Sequence, residues 1–169
     1  MVWLPFDLHP EYPPDGIPRG RLHARYGERL HDHVRAMFEA GGLAYNPPPD
    51  VVPNSRNALR LAELGRDLGR HREVHDRLMD AYWAEGRNIG DLDVLRALAA
   101  ELELPADDVG RVLGGDDYAE RVAASTGQAA ALGISGIPAF LLDQRLLVLG
   151  AQPRAVFAQA LEQLEATSL

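Results

Sequence analysis

The chain has 169 residues, of which 46% are hydrophobic and 25% are charged, and its formal net charge at pH 7 is −8. This size and apolar content suit one domain with its own core, and the acidic balance argues against a general nucleic-acid binder, which needs a basic surface. The sequence contains no cysteine, which excludes disulfides, thiolate nucleophiles and sulfur-ligated metal centres.

The first ten residues, MVWLPFDLHP, contain a run of strand-forming side chains. Residues 2–8 carry this run, which ends at His9-Pro10, and its composition predicts one N-terminal strand. The stretch lacks the charged leader and apolar block of a signal peptide. No part of the chain approaches the ~20 apolar residues of a membrane helix. We therefore expect a cytoplasmic protein with no membrane partner.

The middle of the chain changes to helical spacing, and the glycine and proline pairs between the periodic runs predict about five helices. Asn54 and Asp91 are placed to cap two of them. Nearer the C terminus, two short apolar runs at residues 139–142 and 146–149 predict a hairpin, and Pro153 begins a last helix. This order of elements predicts an α/β domain with a helical insertion.

His71 and His75 lie four positions apart on one predicted helix, which is a spacing found in metal sites. The acid of HREVH occupies the third position, so the stretch matches neither zinc-protease order, His-Glu-x-x-His or His-x-x-Glu-His. The charged neighbours of this pair indicate a solvated helix face, and His31 and His33 point to different faces of their own helix. The sequence therefore predicts no metal site.

Two acidic pairs, Asp107-Asp108 and Asp116-Asp117, are candidates for acid–base chemistry. Each pair lies beside a predicted helix start, where the helix dipole stabilises carboxylates, so capping is the favoured interpretation. Ser125 and Ser135 have no Gly-x-Ser-x-Gly elbow around them. The glycines of Gly133-x-x-Gly136 follow a helix rather than a strand, which argues against a dinucleotide loop. These residues indicate no catalytic group and no cofactor.

The Ile137-Pro138 step comes directly before the first run of the hairpin. Proline supplies no backbone donor, and an X-Pro bond can be cis at modest cost. A cis bond would leave neighbouring backbone groups free to pair with an extended peptide. From the residues alone, an ordinary trans proline at a strand start is the favoured interpretation.

Five stretches taken together resemble the DsbA-like thioredoxin-fold family, and they are closest to its FrnE-type branch. The resemblance implies a thioredoxin-like sheet, formed by residues 1–18 and 133–169, interrupted by an all-helical domain at residues 19–132. It also implies that Pro138 is the family's cis-proline and that Gly136, Ile137 and Pro138 form the substrate-facing loop. The stretches are WLPFDLHP (Trp3–Pro10), PNSRNALRLAELG (Pro53–Gly65), LMDAYWAEGRNIGDLDVL (Leu78–Leu95), LGISGIPAFLLD (Leu132–Asp143) and GAQP (Gly150–Pro153).

The resemblance further implies a segment that these 169 residues lack. Family members begin with a strand, a Cys-x-x-Cys turn and a long helix, and only then reach the Trp-x-Pro-Phe strand at which this sequence starts. We therefore expect an incomplete thioredoxin-like fold that is inactive in disulfide exchange, which requires a thiolate. A missing central strand would leave unpaired edges, and we expect a homodimer that covers the exposed edge.

Three functions stay open at this point. The first is a thiol–disulfide oxidoreductase whose natural form has a longer N-terminus. The second is a relative of the glutathione-dependent isomerases of 2-hydroxychromene-2-carboxylate, in which serine replaces the cysteine, although Ser135 lies in the wrong place for that role. The third is a redox-dead module that holds a peptide or protein partner with its Pro138 loop.

Overall fold

The fold is a group of helices followed by a two-stranded hairpin and a last helix. The computed structural model describes residues 1–26, 29–46 and 49–166, and within them the predicted α/β class with its helical insertion is confirmed. The domain boundaries at residues 18 and 132 remain a prediction. The elements in chain order are β1 (Ile17–Pro18), α1 (Gly20–Tyr26), α2 (Arg29–Ala40), β2 (Val51–Val52), α3 (Arg56–Asp67), α4 (His71–Trp83), α5 (Leu92–Glu101), α6 (Ala106–Gly114), α7 (Ala119–Ala131), β3 (Ala139–Leu142), β4 (Leu146–Leu149) and α8 (Arg154–Ala166).

The hydrophobic core lies among the helices, with α3 at its centre. This helix packs against α4, α5, α6 and α7, and its residues 60–65 are buried on every side. A helix that is surrounded in this way buries even its polar residues, here Arg60 and Glu63. The buried apolar side chains of this core are Ala58, Leu61, Ala62, Leu64, Val74, Leu78, Ala81, Ile89, Leu95, Leu98, Ala99, Leu104, Val109, Val112 and Leu113.

The strand predicted over residues 2–8 is wrong, because residues 1–7 form neither a helix nor a strand. A strand exists only where a neighbouring strand completes its ladder, and among the described residues none pairs with this segment. Near the N-terminal side of the described chain, the one ladder that forms joins β1 to β2. There Ile17 pairs with Val52 and Pro18 with Val51 in an antiparallel bridge.

Helix caps follow the sequence in part. The side chain of Asp91 accepts hydrogen bonds from the backbone N–H groups of Asp93 and Val94, as predicted for an N-cap. Asn54 is not the N-cap of α3, because Ser55 occupies that position. The Asn54 side chain accepts a hydrogen bond of 3.0 Å from the backbone N–H of Arg56. Asn54 therefore lies one residue before the N-cap.

The acidic pairs both lie at helix starts. The first pair, Asp107 and Asp108, is in the first turn of α6, where carboxylates complement the helix dipole. The second pair, at residues 116–117, precedes Tyr118, which is the N-cap of α7. Capping itself is not observed, because the N-caps are Pro105 and Tyr118 and neither helix start has a side-chain capping hydrogen bond. Among the described helices, none has the length and apolar character that crossing a membrane would require.

Candidate functional site

The candidate site begins where α7 ends and the chain reverses toward the hairpin. Gly133 has φ +80°, its N–H donates to the carbonyl of Ala130, and the N–H of Ile134 donates to that of Ala129. A residue in this left-handed conformation after a helix is most often glycine, since a side chain there is strained. The reversal directs residues 134–138 out of the helical region and into β3.

The predicted substrate-facing loop lies at the surface, with two of its three residues exposed. The Ile137–Pro138 peptide bond is cis, so the trans interpretation from the residues alone is wrong, and the cis form is the one that the family resemblance implies. A cis X-Pro bond costs only about 0.5–1 kcal/mol, so local preference does not decide the isomer. Ile137 is 59% exposed, Pro138 is exposed and Gly136 is half-buried.

The hairpin after this loop is confirmed at the predicted residues, with Phe140 opposite Val148 and Leu142 opposite Leu146. The carbonyl of Pro138 accepts a hydrogen bond of 2.8 Å from the N–H of Gly150. Hydrogen-bonded pairs alternate with non-bonded pairs in an antiparallel ladder. The backbone groups of even-numbered residues in β3 therefore face β4.

The other edge of β3 is open. By the same alternation, the N–H and C=O groups of Ala139 and Leu141 face away from β4. In the described part of the chain β3 has no second neighbour, because its sheet contains β3 and β4 alone. An unpaired edge of this kind is a template for an added strand.

The two faces of the hairpin differ in how well they are covered. On one face, the ring of Phe140 meets the ring of Phe157 of α8 edge-on at 4.9 Å, and Val148 is buried. On the other face, Leu141 and Leu149 are exposed. The open edge of β3 is therefore accompanied by exposed apolar side chains, which could contact alternate residues of an added strand.

A group of charged side chains surrounds Glu63, whose side chain is 1% exposed. The guanidinium of Arg66 donates to both carboxylate oxygens at 3.0–3.1 Å, and Arg121 of α7 approaches at 3.4 Å. Arg121 also pairs with Asp67 at 2.8 Å, and this hydrogen bond holds the pKa of Asp67 below its usual value. These ion pairs join α3 to α7.

The histidine pair does not lie on a solvated face, so that interpretation was wrong. The ring of Trp3 stacks on His75 at 5.2 Å, His75 stacks on His71 at 5.9 Å, and Arg66 Nη2 lies 2.9 Å from His71 Nε2. Arginine only donates, so His71 Nε2 is an acceptor and the ring is neutral. Trp3 of the N-terminal segment covers these rings. The charged neighbours of the two histidines in the sequence could not indicate this contact.

Acidification should weaken folding through these two rings. Burial lowers the pKa of His71, and the Arg66 guanidinium lowers it further; burial also lowers the pKa of His75. The unfolded chain then binds more protons than the folded one below about pH 6.5. The contribution of the two neutral rings to the free energy of unfolding is fully present above that pH. It falls as the pH drops toward the lowered pKa values of His71 and His75.

Urea unfolding at pH 7.5, 6.5 and 5.5 measures this dependence. We expect the unfolding midpoint to fall across this window in the native chain and to fall less in a His71→Gln, His75→Gln double variant. His9, which is on the N-terminal segment and outside this cluster, provides the matched His9→Gln control. An equal pH dependence in the double variant and the native chain would contradict the assignment.

Metal binding finds no support in the described residues, which contain no group of three or more histidine and acidic side chains able to hold an ion. Glu63 Oε1 lies 3.9 Å from His71 Nε2, but Arg66 Nη2 donates to both of these atoms, at 3.0 Å and 2.9 Å. The side chains of His31 and His33 lie outside the described residues. Ser135 is exposed in the loop before Pro138.

The chain is similar to known proteins over nearly its whole length. A family model described as the DSBA-like thioredoxin domain matches residues 1–162. The crystal structure of a probable DsbA oxidoreductase from Streptomyces coelicolor has a TM-score of 0.84 and 35% identity, over 94% of this chain and 72% of that one. The uncharacterized protein YwbO of Bacillus subtilis (strain 168) is 26% identical over 165 residues, which are 95% of this chain and 80% of that protein.

Proposed function

This chain belongs to the DSBA-like thioredoxin domain family, and from that membership we propose that it binds extended peptide segments at the Pro138 loop without carrying out disulfide exchange. The observation that carries the proposal is the open edge of β3, which continues directly from the exposed Ile137 and the cis Pro138. The 169 residues contain no cysteine. Disulfide exchange proceeds through thiolate attack on sulfur, so this polypeptide has no group that could perform it.

Binding would occur by strand addition. An extended peptide that lies along β3 can pair with the outward backbone groups of Ala139 and Leu141, and these main-chain bonds supply affinity independently of the peptide's sequence. The exposed side chains of Ile137, Leu141 and Leu149 would favour apolar residues at alternate positions of the peptide. Nothing in the site favours the isomerase function, since Ser135 does not stand in place of a redox cysteine.

A labelled octapeptide of alternating valine and threonine tests the mode of binding by fluorescence anisotropy. We expect saturable binding that is unchanged by thiol-blocking reagents. Backbone N-methylation at every second residue should abolish binding in one register and spare it in the other, because only alternate peptide groups face the edge. Equal binding of both methylated peptides would contradict strand addition.

Replacing Ile137 with aspartate tests the place of binding. A charge at this exposed apolar position should lower the affinity for the peptide by about tenfold or more. Leu161 of α8 is similarly exposed, at 53% against 59% for Ile137, so Leu161→Asp is a matched control that should bind as the native chain does. Equal losses in the two variants would place the peptide elsewhere.

Insulin reduction by the 169-residue chain should not exceed the rate with dithiothreitol alone.

A further inference from the structure

One guanidinium nitrogen, Nη2 of Arg66, contacts three acceptors at once. It donates to Glu63 Oε1 at 3.0 Å and to the carbonyl of Trp3, and it lies 2.9 Å from His71 Nε2. A terminal guanidinium nitrogen carries two hydrogens, so the three acceptors share them. A change in one acceptor therefore changes the hydrogen bonds of the other two.

His71 is the acceptor that can change. Its ring accepts from Arg66 only while Nε2 has no hydrogen, and a protonated imidazole donates at both nitrogens. Arginine cannot give up its own proton in exchange. Protonation of His71 would place two donors and two positive charges 2.9 Å apart, although the His71 side chain is only 16% exposed. The contact between the two groups must then break, because neither can accept from the other.

Glu63 offers the protonated ring a new partner. Its Oε1 lies 3.9 Å from His71 Nε2, so a movement of about 1 Å brings the two atoms to hydrogen-bond distance. The Glu63 side chain is 1% exposed and is held in place, whereas the Arg66 side chain is 28% exposed and can turn toward water. Arg121 of α7, 3.4 Å from the carboxylate, remains beside it.

The withdrawal of Arg66 from the ring also affects Trp3. The indole of Trp3 stacks on His75 at 5.2 Å, and His75 stacks on His71 at 5.9 Å, so Trp3 lies on the same side of Arg66 as the two rings. A guanidinium that turns from His71 toward solvent therefore turns away from the Trp3 carbonyl as well. Water can then donate to that carbonyl in its place.

We propose that protonation of His71 moves Glu63 Oε1 from Arg66 Nη2 to the His71 ring, and that Nη2 then leaves the carbonyl of Trp3. The proton comes from the solvent and stays on His71 Nε2. Arg66 can keep the bond from its Nε to Glu63 Oε2, at 3.0 Å. His71 is thereby a proton-controlled switch between two arrangements of α3 and α4. This inference concerns other residues than the proposed peptide site and does not depend on it.

The charged groups around His71 set the pH at which the exchange occurs. The ring faces Arg66 and Glu63 on α3, and His75 and Asp76 on its own helix. Burial and the Arg66 guanidinium lower the pKa of His71, and the Glu63 carboxylate opposes that shift. The exchange therefore takes place below about pH 6.5, and the neutral arrangement holds above it.

Fluorescence of the Trp3 indole between pH 7.5 and 5.0 tests the proposal. Trp83→Phe removes the other of the two tryptophans in the sequence, so the emission then comes from Trp3 alone. In this background we expect the emission maximum to move to longer wavelength as the pH falls, because the Trp3 backbone loses its bond to Arg66 and the ring becomes more hydrated. The helical circular dichroism should stay unchanged in this range.

Two further variants in the Trp83→Phe background identify the group that titrates. His71→Gln keeps an oxygen that can accept from Arg66 but cannot be protonated in this range, so its emission should not change with pH. His9→Gln, outside the cluster, should keep the full transition. A transition that persists in His71→Gln, or that disappears in His9→Gln, would overturn the proposal. So would the absence of any transition with His71 present, or a transition that coincides with loss of the helical signal.

Discussion

Replacing Glu63 with alanine should lower the free energy of unfolding by about 2 to 4 kcal/mol. Breaking a buried ion pair usually costs about 3 to 5 kcal/mol, because the remaining charge is left buried without a partner. Here the partners retain some access to water, since the side chains of Arg66 and Arg121 are 28% and 44% exposed. The expected loss is reduced for that reason. Urea unfolding at pH 7.5, followed by the helical signal, measures it.

Asp67 provides the matched control for this prediction, because it lies one turn further along α3 and shares Arg121 as a partner. Its side chain is exposed, and exposed ion pairs contribute only about 0–1 kcal/mol. Asp67→Asn should therefore have a much smaller effect than the loss of Glu63. If the two variants lost equal stability, burial of the carboxylate would not be the cause.

Gly65→Ala should destabilise the chain by about 1 to 3 kcal/mol through overpacking. A Cβ atom at this position would lie 2.6 Å from Val74 Cγ2 and 2.9 Å from Val74 Cβ. Val74 is fully buried on α4 and has no space into which it could move. The higher helix propensity of alanine offsets at most about 1 kcal/mol of this cost. Thermal and urea unfolding of the single variant measure the difference.

Gly110 of α6 separates the packing effect from helix propensity. A Cβ atom there would have no neighbour within 4 Å, so Gly110→Ala should be stabilising by up to about 1 kcal/mol. Combining Gly65→Ala with Val74→Ala should cost less than the sum of the single losses, because the smaller side chain makes room for the new methyl group. Additive losses would show that the two residues do not compete for the same space.

The candidate site could be predicted in part from local sequence. The apolar runs around residues 139–142 and 146–149 predicted the hairpin correctly, since strand neighbours in a tight hairpin are also neighbours in sequence. The residues of the Pro138 loop were identified through the family resemblance, and the isomer of that bond could not be derived from composition. The open edge of β3 could not be derived from local pattern either, because it is a property of the whole sheet.

The buried polar residues could not be predicted from the sequence. Glu63 and Arg60 lie among apolar neighbours in α3, but charged residues on a helix are usually solvated. Their burial follows from the packing of α4, α6 and α7 around one helix. Arg60 shows the consequence, since its guanidinium donates to the carbonyls of Gly115 and Asp117 in the loop before α7.

The sequence by itself determined the absence of a thiolate, the hairpin with the helix after it, and the Asp91 cap, but it predicted about five helices before the hairpin where the described residues form seven. These features depend on composition or on residues within a few positions of each other. Only the tertiary structure decided the state of residues 2–8 and the burial of His71 and His75. The carbonyl of Pro5 accepts a hydrogen bond from Ser125, 120 positions away. Residues 2–8 have the composition of a strand but no neighbouring strand in the described chain, and Trp3 of this segment covers His75. Contacts at such separations are fixed by the packing of whole helices, which no local periodicity records.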